Sequence, residues 1–130
     1  MTDSISDMLI RIKNALAVKK PKVLIPFSVQ RENILKILFT YGFVGPFRRI
    51  KRKNERLLEL QLAYTDQGKA PTHDIKRISK PSRRVYIKAK DIKSTKGGLG
   101  ISIISTSKGM MATHRAKKEQ LGGELICEIW

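Results

Sequence analysis

Apolar residues at Ile5, Met8, Leu9, Ile12 and Leu16 recur at i, i+3, i+4, i+7 spacing and predict an N-terminal helix with one core-facing stripe. Asp3 or Ser4 can cap it, Arg11, Lys13, Lys19 and Lys20 fill its other faces and its basic C-terminal end, and Pro21 stops it. A short strand follows over 22–27, interrupted at Pro26 and therefore predicted at a sheet edge. Ser28 is placed to cap a second helix over 29–41, with Ile34, Leu35, Ile37, Leu38 and Tyr41 inward and Gly42 closing it. The period then changes to two. Strands over 44–53 and 56–64 form a hairpin with its tip at Lys53-Asn54-Glu55, and Leu58, Leu60, Leu62 and Tyr64 share one side.

Asp66-Gln67-Gly68 is the best boundary, which divides the chain into an N-terminal domain, 1–66, and a C-terminal domain, 67–130. Beyond it the pattern predicts a strand over 72–78, a turn at Lys80-Pro81-Ser82 and a strand in "RRVYIK". A polar, Gly-rich loop over 94–100 leads into the strand "GISIIS". A short helix capped by Thr113 runs to Leu121, Gly122-Gly123 ends it, and "ELICEIW" is the last strand. Helices mixed with mostly antiparallel strands give an α+β class: two small α/β-layered domains packed together.

Charge changes this picture. The 130 residues hold 27 Lys+Arg against 11 Asp+Glu, a net charge of +16. The excess is shared: 13 basic against 6 acidic residues over 1–66, and 14 against 5 over 67–130. A detachable tail would load one end, so the folded body itself calls for a polyanion, nucleic acid first and an anionic membrane surface second. No apolar run reaches the ~20 residues that span a bilayer. The first residues, with Asp3 and Asp7 and no apolar signal core, predict a chain made and used in one compartment. Cys127 stands alone, so no disulfide framework is expected and a reducing interior is.

Candidate chemistry narrows the polyanion. His73 and His114 lie far apart without ligand spacing or a Gly-x-Ser-x-Gly elbow, so neither catalysis nor a metal is expected, and both read as surface residues. "GGLG", 97–100, is read as a strand-entry turn, because no second helix follows as a KH loop would require. "FRRIKRK", 47–53, alternates Arg48, Ile50 and Arg52 against Arg49, Lys51 and Lys53, which fits either a solvated face or phosphate contact. In "KPSRRVYIKAK", Arg84, Tyr86 and Lys88 alternate onto one face, two cations flanking a ring that can stack on a base. A half-exposed sheet tyrosine is the plainer alternative.

"ISTSKGMM", 104–111, places three compact hydroxyls between an isoleucine run and Lys108-Gly109. Hydroxyls give to phosphate and 2′-OH and accept from base amino groups, and a glycine lets a backbone come close. Such a loop reads ribose and shape, which suits RNA better than DNA, with an ordinary polar turn as the alternative.

"STSKG" after an Ile-rich strand, "RISKPSRRVY" upstream, "LGGELIC" downstream and the opening "DMLIRIKNA" resemble, in register, the ribosomal protein S-eight family of the bacterial small subunit. The likeness runs from Asp3 to Cys127. It implies a two-domain α+β protein without cofactor, metal or catalytic residues, a structural constituent of the small ribosomal subunit that binds the central domain of its rRNA and helps assembly. The implied compartment is the cytoplasm, or an organelle that encodes its own copy. Implied partners are small-subunit rRNA, neighbouring small-subunit ribosomal proteins and the chain's own messenger, with no membrane and no small-molecule substrate. The C-terminal half would grip an irregular rRNA helix while the N-terminal half supports a neighbouring one. Carried over by motif, the RNA-binding residues are Ser105, Thr106, Ser107, Lys108 and Gly109 on the loop, Arg83, Arg84 and Tyr86 on the basic-aromatic strand, and Gly122, Gly123 and Glu124 at the closing turn. A carboxylate in so basic a surface makes sense as an acceptor for a base amino group. The chain departs from the family at Ser82, usually glycine, at Ala112-Thr113, usually Thr-Asp, and near Lys93, where a common proline is absent. An architectural DNA-binding protein is the rival reading.

Overall fold

The computed structural model describes residues 3–64, 67–68 and 71–130. They fall into two compact units, Ser4–Thr72 and His73–Trp130, with Asp3 belonging to the latter. Asp66, where the sequence pattern put the boundary, lies outside the described residues.

The first unit holds α1 (Ser4–Ala17), β1 (Lys22–Pro26), α2 (Val29–Thr40), β2 (Phe47–Arg52) and β3 (Glu55–Gln61). The predicted stripe of α1 is buried at Ile5, Met8, Leu9 and Ile12. The Ser28 hydroxyl accepts from the Arg31 backbone N–H at 3.1 Å and starts α2 where the sequence places its cap. Lys53 and Asn54, both at positive φ, make the two-residue turn that joins β2 to β3, a shape matched to the twist of the strands.

The three strands pair antiparallel in the order β1-β3-β2, so the Pro26 strand is indeed an edge. Ile25 and Arg49 are paired across from Leu58 and therefore share its face, as does Leu60 two residues on. From that face the Arg49 guanidinium reaches Glu32 of α2, so α2 lies over it. Ile34, Leu35, Leu38, Leu58 and Leu60 are buried there at no more than 1% exposure.

The second unit contains β4 (Ile75–Arg77), β5 (Tyr86–Ile87), β6 (Ile101–Thr106), β7 (Gly109–Ala112), α3 (Thr113–Lys118) and β8 (Gly123–Ile129). Its sheet is antiparallel throughout: β8 pairs β6 along one edge and both β5 and β4 along the other, and β7 pairs β6. A register shift lies between Ile103 and Ile104. Ile92, Ile104, Met111 and Ala116 form a core cluster with Ile87, Leu121 and Leu125 packed against it.

Several elements differ from the sequence pattern. The strand predicted over 72–78 shortens to β4, and "RRVYIK" contributes only the two residues of β5, because each pairs with part of one edge of β8. Thr113 is not the cap of α3. It is the first helical residue and is buried, and the cap position is held by Ala112 without a side-chain bond. The α+β class stands on these antiparallel sheets and three helices.

Candidate nucleic-acid interface

The quoted hydroxyl run straddles a hairpin. Thr106 pairs with Gly109, which leaves Ser107 and Lys108 as the two loop residues between β6 and β7. The Thr106 hydroxyl donates to the Gly109 carbonyl at 2.8 Å and accepts from the Lys108 N–H at 3.1 Å. That one side chain therefore shapes the turn from within, and Gly109 supplies the φ of +106° that the closure needs. Ser107 and Lys108 project from the turn and are exposed.

Beside the hairpin runs a row of side chains at one register. Ser105 is paired with Glu124, and Glu124 is paired with Tyr86. Directly opposed residues of antiparallel strands point to the same face, so a hydroxyl, a carboxylate and a phenol ring stand side by side. Tyr86 is 71% exposed, far more than a ring needed for packing would be. The strands can approach this closely because Gly123 has no side chain: a Cβ there would collide with the Ser105 carbonyl oxygen. Gly122 is similarly close to Ile87 and Lys88, with a Cβ position 2.7 Å from the Ile87 carbonyl oxygen.

The carboxylate is held in place. Ser79 Oγ donates to Glu124 Oε2 at 2.5 Å and Arg84 Nη1 donates to the same oxygen at 3.1 Å. Both bonds fall on Oε2, so the group is oriented while Oε1 is engaged by neither donor. Ser79 in turn accepts from the Val85 N–H at 3.1 Å, which locks its own rotamer. Arg83 lies one residue further out and is exposed; its backbone and that of Lys80 exchange two bonds of 2.9 Å, closing the Lys80-Pro81-Ser82-Arg83 turn.

The structure thus gathers the hairpin residues 105–109, Gly123, Glu124, Arg84 and Tyr86 in one place, with Gly122 and Arg83 on its margin. Lys88, expected on the Tyr86 face, falls beyond β5. Sequence reasoning missed Ser79, a fully buried serine whose bond to Glu124 spans 45 residues. A serine in "RISKPSRRVY" carries no periodic signal that would separate it from a turn residue.

His73 and His114 are both exposed. Among the described residues no three His, Cys, Asp or Glu side chains are grouped to hold a metal, and no helix is long and apolar enough to cross a membrane.

A family profile described as "Ribosomal protein S8" matches residues 3–130. The chain belongs to the ribosomal protein S-eight family. A relative from Thermodesulfovibrio yellowstonii, called small ribosomal subunit protein uS8, is 44% identical over 100% of this chain and 99% of its own length. Relatives of the same description from Bartonella tribocorum and Thermus thermophilus are each 43% identical, covering 100% of this chain and 98% and 99% of their own lengths. The family resemblance therefore spans both units, including the hairpin and the Glu124 row.

Proposed function

We propose that this chain is a structural, non-catalytic component of the small ribosomal subunit that binds rRNA directly and helps the subunit assemble. The supporting observation is the row Tyr86–Glu124–Ser105 beside the Ser107-Lys108 turn, on a chain of net charge +16 from this family. Tyr86 offers a stacking face, Ser105 and Ser107 offer two-way hydrogen bonds, and Glu124 accepts from a base amino group. Lys108, Arg83 and Arg84 supply attraction to phosphate. Gly109, Gly122 and Gly123 let backbone approach backbone where a side chain would stand off.

In this reading the C-terminal part, 67–130, holds an irregular helix of the rRNA central domain, and the N-terminal part, 1–66, supports a neighbouring one. Neighbouring small-subunit ribosomal proteins and the chain's own messenger, as a mimic of the rRNA site, are further partners. The working place is the ribosome, in the cytoplasm or in an organelle with its own ribosomes.

Filter binding to a central-domain rRNA fragment and to duplex DNA of equal length tests this. Wild type should prefer the rRNA fragment, and Tyr86→Ala and Glu124→Ala should each weaken it while leaving DNA binding almost unchanged. Equal affinity for both nucleic acids would support an architectural DNA-binding protein instead.

A further inference from the structure

The end of the second unit away from the hairpin carries a feature outside the row proposed to contact RNA. Strand β6 begins at Ile101 and ends at Thr106, so its two ends are separated by about 17 Å at ~3.4 Å per residue. At the Ile101 end lies a half-open cavity of 390 Å³, lined by Ile92, Lys93, Ser94, Thr113, His114 and Lys117 among others. The Lys117 ammonium is fixed at its wall by a 2.8 Å bond to the Ile92 carbonyl.

Beside the cavity stands Leu99, 82% exposed. Its position is set by neighbours on both sides. Lys96, Gly97 and Gly98 are successive left-handed residues, at φ of 50°, 65° and 92°. The Lys96 ammonium sits 4.4 Å over the Trp130 ring, and the Leu99 N–H donates to the Lys96 carbonyl at 3.2 Å. On the other side Gly100 abuts Ile129 and Trp130 so closely that a Cβ would lie 2.7 Å from Trp130 Cβ. A backbone held this way presents a leucine to solvent, against the hydrophobic effect.

The geometry points to a docking surface for another protein: an acidic polypeptide segment that encloses Leu99 in an apolar pocket and places carboxylates against Lys93 and Lys117. Leucine has no ring to stack on a base and no donor or acceptor for a phosphate or ribose, so what its exposed side chain stands to gain is burial in an apolar pocket. Charge supplies the complement: residues 88–100 carry Lys88, Lys90, Lys93 and Lys96 against Asp91 as the single carboxylate. The inference rests on the proposed ribosomal role only for the setting in which the partner is met.

The test is site-directed photocrosslinking in assembled small-subunit particles, with benzoylphenylalanine in place of Leu99 in one full-length chain and of Ser107 in another. The expected adduct from position 99 is protease-sensitive and maps to a segment where Asp or Glu flank an apolar residue. Adding Lys93→Glu should cut its yield about tenfold, since charge reversal turns attraction into repulsion. An RNA adduct at 99, an adduct to a basic segment, the absence of an adduct, or a yield indifferent to Lys93→Glu overturns the proposal. Position 107 should crosslink to RNA; failure there strikes the RNA site and leaves the result at 99 readable. As a measurement independent of assembly, titration of the isolated chain with a decapeptide of alternating Glu and Leu should shift the Leu99 and Lys117 amide resonances. It should leave those of residues 105–109 in place. The reverse pattern counts against the surface.

Discussion

At the scale of single residues, the hydroxyls of the hairpin divide their labour. Thr106 uses its hydroxyl as donor and acceptor inside the turn, whereas Ser107 extends outward. Ser107→Ala should weaken rRNA-fragment binding by about 1 kcal/mol, the worth of one hydrogen bond, with the melting curve unchanged. Thr106→Ala should lose a similar amount through a looser turn, and Thr106→Ser, which keeps the oxygen, should restore most of it; filter binding checks both. A different kind of residue is Cys127. Its burial in β8 pushes the thiol pKa up to about 12, so it holds its proton and stays unreactive in the folded chain. Alkylation by iodoacetamide at pH 8 should be negligible in buffer and complete in urea. Rapid labelling of the native chain would contradict the packing around it.

At the scale of elements, two carboxylates tie the first unit's sheet together. Glu32 of α2 accepts bonds of 2.7 and 2.6 Å from Arg49 of β2, whose guanidinium also lies 4.9 Å over the Phe27 ring. Glu59 in β3 takes a 3.1 Å bond from Arg48 of β2 and lies 3.8 Å from Lys22 of β1. The hydrogen bond from the arginine, outweighing desolvation, holds each carboxyl below its ordinary value of 4.5. A depressed folded pKa means that the stabilisation is complete above the unfolded value and is lost as pH falls through the folded one. Urea midpoints of the full chain should therefore fall on going from pH 6 to pH 3, and fall less for Glu32→Gln combined with Glu59→Gln. In the second unit the critical element is β8. Gly123→Ala drives a methyl group at the Ser105 carbonyl and should cost about 1–3 kcal/mol in urea unfolding, as an overpacked site does, with rRNA affinity lowered alongside.

At the scale of the whole molecule, a net charge of +16 makes affinity a function of salt. The plot of log K against log salt should be linear, with a slope near −3 to −5 if about five phosphates are neutralised. A flat response in a salt titration would remove phosphate contact from the account. Nearly every element was legible beforehand where a single chain segment decides its own state. The α1 stripe, the Ser28 cap, the Lys53-Asn54 turn and the Ile-rich strand of β6 all appear where periodicity and turn chemistry put them. The hydroxyl turn was legible as a motif, though not the internal bonds that commit Thr106 to the turn itself. What failed were features set by distant partners. Strand β5 is two residues long because only Tyr86 and Ile87 hold ladder register with β8, and α3 starts at Thr113, which is buried at the close of β7. The sequence by itself determined the α+β class, the periodic cores and the spread of positive charge, since each follows from local spacing and composition. Tertiary pairing alone decided that Tyr86, Glu124 and Ser105 share one row, that buried Ser79 orients the carboxylate, and that Leu99 is held out in solvent. These are contacts across tens of residues, and no local period encodes them.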